Sequence, residues 1–197
     1  MLRSSDRLAL SHCFRMLSSD SRGAALLEFA VALPLLVVFV VGIYDFSGAF
    51  NQKQKIEQAA QEGAIVAGSQ PTSDIQTSNG NPDSLQAVVA AVFASLADSS
   101  VLPNANQSTC VPPGTVSAPT GLTWTYTISG CSSIAGNLVI VINRAAMSGT
   151  PPAVCSKVTV SYPYNWKFNS VIQLLVRGAT YAAQTNITEA ATVHNQT

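Results

Sequence analysis

The stretch that decides the fold is RGAALLEFAVALPLLVVFVVGIYDF, Arg22–Phe46. Between Ala24 and Tyr44 its one charged side chain is Glu28. As a helix this run would rise roughly 31 Å at about 1.5 Å per residue, which matches the hydrocarbon core of a bilayer. A helix buried in a soluble core shows a polar stripe, and none interrupts Phe29–Tyr44, so the segment reads as a membrane span. Pro34 is tolerable there as a kink that neighbouring helices absorb. Glu28 is the anomaly, because an acidic side chain at the centre of a membrane helix costs on the order of 2.5–3.5 kcal/mol. Its plain reading is a carboxylate that snorkels to headgroups about one turn away.

Flanking charge sets the orientation. Arg3, Arg7, Arg15 and Arg22 precede the span; Lys53 and Lys55 follow it, and no further Lys or Arg occurs before Arg144. The bias puts the N-terminus in the cytoplasm and exports the chain beyond about Phe46. Lys plus Arg and Asp plus Glu number 10 each, and no basic cluster is interleaved with aromatics, so no nucleic-acid partner is expected. His12 and His194 lie at opposite ends of the sequence, and G-x-S-x-G, HExxH, P-loop and CxxC spacings are absent. The sequence therefore predicts no enzyme, no cofactor and no metal site. Asp74 and Asp83 read as loop and capping groups.

The exported part reads as α+β. From Ser47 to Gly68, Phe50, Ile56, Ala59, Ala60, Ala64 and Ile65 recur among polar residues. That apolar stripe continues the helix and is expected to pack on the protein's own sheet. Lys53 and Glu57 are placed for an i,i+4 pair, and Gly68 and Pro71 stop the helix. After the polar loop PTSDIQTSNGN, Asn81-Pro82-Asp83 predicts an N-cap, and Leu85, Val88, Val89, Val92, Phe93 and Leu96 predict a second helix to about Asp98. Pro, Ser and Asn mark a loop over Asn104–Thr120. Leu122–Ser129, Leu138–Asn143 and Val158–Tyr164, stopping at Pro163, predict strands. Val171–Arg177 is ambiguous, and Ala179–Glu189 reads as a last strand. Trp124, Tyr126, Tyr162, Tyr164 and Trp166 read as core and cross-strand aromatics rather than a carbohydrate stripe. The chain divides into a leader at 1–23, a span at 24–46, a helix extension at 47–68 and an exported domain at 69–197.

Cys110, Cys131 and Cys155 fall in the exported part, where one disulfide can form. In an up-down-up meander of the three predicted strands, Cys131 follows the first and Cys155 precedes the third, at opposite ends of the sheet. Cys110 precedes the first strand and shares an end with Cys155. The expected pair is Cys110–Cys155, which leaves Cys131 as a thiol.

Three leader types compete for residues before the span. A secretory signal cut near Ser47-Gly48-Ala49 has small residues in place, but the leader is long, the apolar run is long and Asp45 sits beside the cut. A lipoprotein signal at Leu10-Ser11-His12-Cys13 puts an imidazole where a small residue is needed. The third type resembles a type IV prepilin leader: basic, ending in Gly23, with Ala24 as the first mature residue, Glu28 as the fifth and Phe29 after it. RGAALLEFAVALPLLVVFVVGIYDFSGAF, followed by KIEQAAQEGAIVAG, resembles the start of TadE-like proteins, pilin-like components of the Flp (tight adherence) pilus. VTVSYPYNW at Val158–Trp166 is similar to a strand such domains often carry. The resemblance implies a pilin-like architecture and cleavage between Gly23 and Ala24 by a prepilin peptidase. It also implies assembly through Glu28 and Phe29 with other minor and major pilins. In that family the glutamate pairs with the N-terminal amine of a neighbouring subunit, which turns two costly charges into one neutralised pair. Location in a bacterial inner membrane, beside an assembly platform, follows from the same resemblance. The competing expectation is an exported ligand-binding domain, anchored or released.

Overall fold

The computed structural model describes residues 21–75, 80–150, 152–167 and 184–196. Helix α1, Ser21–Ser69, is 49 residues long and continuous through Pro34, which makes it about 73 Å at 1.5 Å per residue. Its two halves differ in what covers them. Leu26, Leu27, Phe29, Val31, Phe39, Ile43 and Tyr44 are all exposed, whereas Ile56, Ala59, Ala60, Ala64 and Ala67 are fully buried. The apolar window at the helix start has none of its residues buried within the protein. The second half is the expected stripe, and it closes on the protein's own sheet and on helix α2, Asp83–Asp98.

The alanines let α1 lie close, and one glycine sets the closest approach. A Cβ at Gly63 would stand 2.4 Å from Val92 Cγ2 on α2 and 3.3 Å from a methyl of Val158. Gly63→Val should therefore destabilise the detergent-solubilised chain by about 1–3 kcal/mol through overpacking. Thermal or urea unfolding reads this, and Val92→Ala in the same chain should restore part of it. An unchanged unfolding midpoint in the single variant would mean that the helices do not cross at Gly63.

Five antiparallel strands form one sheet in the order β1-β2-β3-β4-β5: Thr115–Val116, Thr123–Ile128, Leu138–Ser148, Ala153–Asn165 and Gln184–His194. Alternation puts Trp124, Tyr126, Ile128, Leu138, Ile140, Ile142, Val158, Val160 and Tyr162 into the core. The architecture is α+β, with a long N-terminal helix as predicted. Val171–Arg177, and the start of the last predicted strand, lie outside the described residues; β5 itself runs on past Glu189 to His194.

Several boundaries move for physical reasons. β3 continues past Asn143 through a bulge between Asn143 and Ala146. β4 does not stop at Pro163. Its pairing with β3 runs no further down than Val139↔Ser161, so beyond Ser161 one side of β4 is an edge and a residue without an N–H is tolerated there. At the start of α2 the cap position is Pro82 rather than Asn81. Asn81 Oδ1 instead accepts from the Tyr126 hydroxyl at 3.1 Å. The anionic cap comes from Asp74, which accepts from the Ser84 N–H at 2.8 Å and the Ser84 hydroxyl at 2.9 Å. Burial would raise the Asp74 pKa, but these bonds and the Arg144 charge hold it below its ordinary value. Lys53 pairs with Glu189 at 3.4 Å on the neighbouring strand, not with Glu57. With half of the lysine exposed, that pair contributes little.

The cysteines pair otherwise than the meander predicts. The disulfide joins Cys110 to Cys131, with Cα atoms 4.7 Å apart, and Cys155 is the free buried thiol. The meander of β2, β3 and β4 is present; what overturns Cys110–Cys155 is β1. Because Thr115 pairs with Thr127, the chain before β1 starts beside the far end of β2. Cys110 is thereby delivered to Cys131, and Asn104 fastens the same loop by donating to the Gly130 and Ser132 carbonyls at 3.1 and 3.2 Å. Cys155 sits at the other end, its sulfur 3.3 Å from His194 Nδ1.

One buried cation was not foreseen. Arg144 lies on the core side of β3 at 2% exposure. It donates to the Ser156 hydroxyl at 3.0 Å and to the Gln70 carbonyl at 2.8 Å, just beyond the last residue of α1. A cation at a helix C-terminus opposes the partial negative charge there, so Arg144 stitches the end of α1 to β3 and β4. Burial lowers its pKa and the Asp74 charge opposes that shift.

Candidate functional site

Two places on α1 carry the chemistry that the packing leaves over. The first is its start. Gly23, Ala24, Glu28 and Phe29 are helical and exposed. A Cβ at Gly23 would meet nothing within 4 Å, unlike one at Gly63. Nothing in the packing of the described residues therefore requires glycine at that position. Among the described residues Glu28 has no hydrogen bond or ion pair within the chain. Ala24 and Glu28 stand four apart and so share one helical face. The sequence-predicted residues Gly23, Ala24, Glu28 and Phe29 thus lie together on an uncovered apolar helix, while Cys110 and Cys155 lie far from them in the sheet-bearing domain and apart from each other.

The second place is where α1 enters the domain. Asp45 is 2% exposed. The Tyr164 hydroxyl donates to its backbone carbonyl and to Oδ1, both at 3.0 Å. Gly48 makes room, because a Cβ there would lie 2.9 Å from the tyrosine oxygen. Burial, followed by the Asp45 hydrogen bond and charge, pushes the Tyr164 pKa up to about 12, so the phenol keeps its donor proton. The Tyr164 and Trp166 rings meet edge-on at 5.1 Å, Phe46 stands 6.4 Å from Trp166, and Lys167 Nζ lies 5.8 Å over the Tyr44 ring. Two rungs up β4, Tyr162 donates to the Cys131 carbonyl at 3.1 Å. The Tyr-Pro-Tyr motif therefore has two jobs: one tyrosine holds the disulfide loop and the other holds the helix. A cavity of about 350 Å³ opens beside this collar, edged by Asp45, Gly48, Lys55, Ser100, Tyr164 and Lys167. The Asp45–Tyr164 link was missed from sequence; its one local signal was a lone carboxylate at the edge of the apolar run.

Among the described residues no group of three or more His, Cys, Asp or Glu could hold a metal ion.

The family of TadE-like proteins matches residues 23–64. Over that segment the chain is similar to TadE-like proteins. The matched segment begins at Gly23 and includes Glu28, Phe29, Pro34 and the Glu62-Gly63-Ala64 triplet. It covers the exposed half of α1 and most of the buried half, so the TadE-like part is the helix and not the sheet. No curated protein and no solved structure matches the chain. The TadE-like match associates the protein with the Tad pilus, and that family is one of pilus components rather than enzymes. One long, uncovered apolar helix near the N-terminus fits a single-pass membrane protein.

Proposed function

We propose that this protein is a minor pilin of a Flp-type (Tad) pilus that takes part in initiating or capping the fibre used for adhesion. Residues 1–23 form a cytoplasmic leader, 24–46 cross the inner membrane, 47–68 extend the helix and 69–197 are exported. A prepilin peptidase cuts between Gly23 and Ala24. Glu28 then pairs with the amine of a neighbouring pilin and draws the subunit into register with it. The assembly platform and the other minor and major pilins are its partners.

One observation carries the reading. The one carboxylate between Ala24 and Tyr44 stands five residues beyond a glycine that meets no packing contact among the described residues, and the family match starts at that glycine. A carboxylate at membrane depth is costly without a partner, and Glu28 has none among the described residues, so a neighbouring subunit's amine would relieve that cost.

The N-terminal residue of the protein isolated from cells that make the pilus tests this. Ala24 is expected. Phe50 at the N-terminus would instead mean that signal peptidase frees an exported ligand-binding domain, and an intact Met1 would mean an anchored protein outside the pilin class.

A further inference from the structure

The collar lies where the bilayer would end. Counting from Ala24, α1 rises about 31 Å by Tyr44, the thickness of a hydrocarbon core. The next residues are Asp45 and Phe46, and the end of β4 comes down to meet them with Tyr164, Trp166 and Lys167. Tyr44 and Phe46 are 68% and 63% exposed. The two tryptophans are used differently. Trp124 is 3% exposed and belongs to the core cluster, whereas Trp166 lies outside that cluster, half-buried against Phe46 and Tyr164. Large amphipathic rings left part-exposed in water are poorly placed, but at the headgroup level of a membrane they are well placed.

Charge has the same distribution. Lys55 and Lys167 edge the cavity beside the collar. Lys55 is held by a bond to the Ser99 carbonyl at 2.9 Å, and Lys167 reaches across the Tyr44 ring. A lysine stem lying on apolar surface with its ammonium at the phosphate level suits both parts of the side chain. The Asp45 carboxylate also edges the cavity, but it is buried and accepts from Tyr164.

We propose that this collar and its cavity are a seat for phospholipid headgroups of the outer leaflet. Tyr44, Phe46 and Trp166 enter the interface and Lys167 faces the lipid phosphate, while Lys55, about 16 Å further along α1, stays with the domain. The exported domain then rests on the bilayer at a fixed height instead of swinging from a stalk, and a subunit entering a fibre must leave this seat. The inference rests on α1 crossing the membrane, and the test separates the two.

The full chain is reconstituted into vesicles of phosphatidylethanolamine and phosphatidylglycerol, and tryptophan fluorescence is quenched by lipids brominated either near the headgroup or at the chain end. Trp124 and Trp166 are the two tryptophans. Trp124→Phe isolates Trp166, and among the described residues Trp124 Nε1 has no hydrogen-bond partner to forfeit. The reciprocal Trp166→Phe chain isolates Trp124, so a folding defect in one variant is checked by the other. The shallow label should quench Trp166 about twofold, the deep label much less, and neither should quench Trp124. Lys167→Glu should at least halve the shallow quenching. Equal quenching of the two tryptophans, or no response to Lys167→Glu, would overturn the seat. Flotation with the vesicles after an alkaline wash reports on α1 alone. A chain that fails to float sinks the membrane span itself; a chain that floats with Trp166 unquenched sinks only the seat.

Discussion

Gly23→Val is expected to block maturation completely. Cells expressing it with the prepilin peptidase should accumulate a precursor that keeps all 23 leader residues, and they should make no pili. The argument depends on what the substitution does not disturb. A Cβ at Gly23 meets nothing within 4 Å, so a larger side chain fits the chain without a clash. Valine is also a better helix former than glycine, by a few tenths of a kcal/mol. The domain is remote, its core beginning at Ile56. A defect at Gly23 therefore cannot come from lost folding; it has to come from an enzyme that reads this position and accepts little beyond a hydrogen there. Migration on a gel, compared with the wild-type protein in cells with and without the peptidase, decides the matter. A variant that migrates like mature wild type would end the prepilin reading of the leader.

How much of this was legible before the fold was known depends on whether a feature is written locally. The apolar first half of α1 is written as an unbroken apolar run, the stripe of its second half and helix α2 each repeat an apolar residue at helical spacing, and β2, β3 and β4 alternate, so local pattern alone reveals them. Gly23 and Glu28 stand out in the sequence as a linear leader-like motif, and their roles belong to the proposal above. β1 was not, since two residues are too few to show any period. It forms because Gly114, at φ +71°, passes so close to β2 that a Cβ would lie 2.4 Å from the Thr127 carbonyl oxygen. That short reversal decides which cysteines meet, which is why counting strand ends gave Cys110–Cys155. Arg144 falls on the core-facing positions of an apolar strand, and its burial makes sense only once the end of α1 lies over it. The collar joins Asp45 to Tyr164 across a sequence separation of 119, beyond the reach of any local pattern. Its parts were nonetheless visible as an odd carboxylate and a Tyr-Pro-Tyr strand end.

Glu28→Ala should mature normally, stay in the membrane and lose its partners. The carboxylate is exposed and unpaired within the described chain, so alanine removes no internal contact. Alanine is the strongest helix former, so α1 gains slightly. Insertion should be unchanged or better, because a penalty on the order of 2.5–3.5 kcal/mol for an acidic residue deep in the bilayer disappears, less whatever snorkelling already recovers. The proposed peptidase site at Gly23–Ala24 lies more than one helical turn away and keeps its sequence. What remains is the proposed pair with a neighbour's ammonium. Removing one member of a desolvated ion pair strands the other, at about 3–5 kcal/mol, which is roughly two to three and a half orders of magnitude in association. Glu28→Gln, which keeps the shape and removes the charge, should fail nearly as badly and so separates charge from packing. The measurement is co-purification of the tagged, processed variant with other pilins from detergent extracts, normalised to its own membrane level. Recovery at the wild-type level for both variants would mean that Glu28 merely snorkels to the cytoplasmic headgroups and that another contact sets the register.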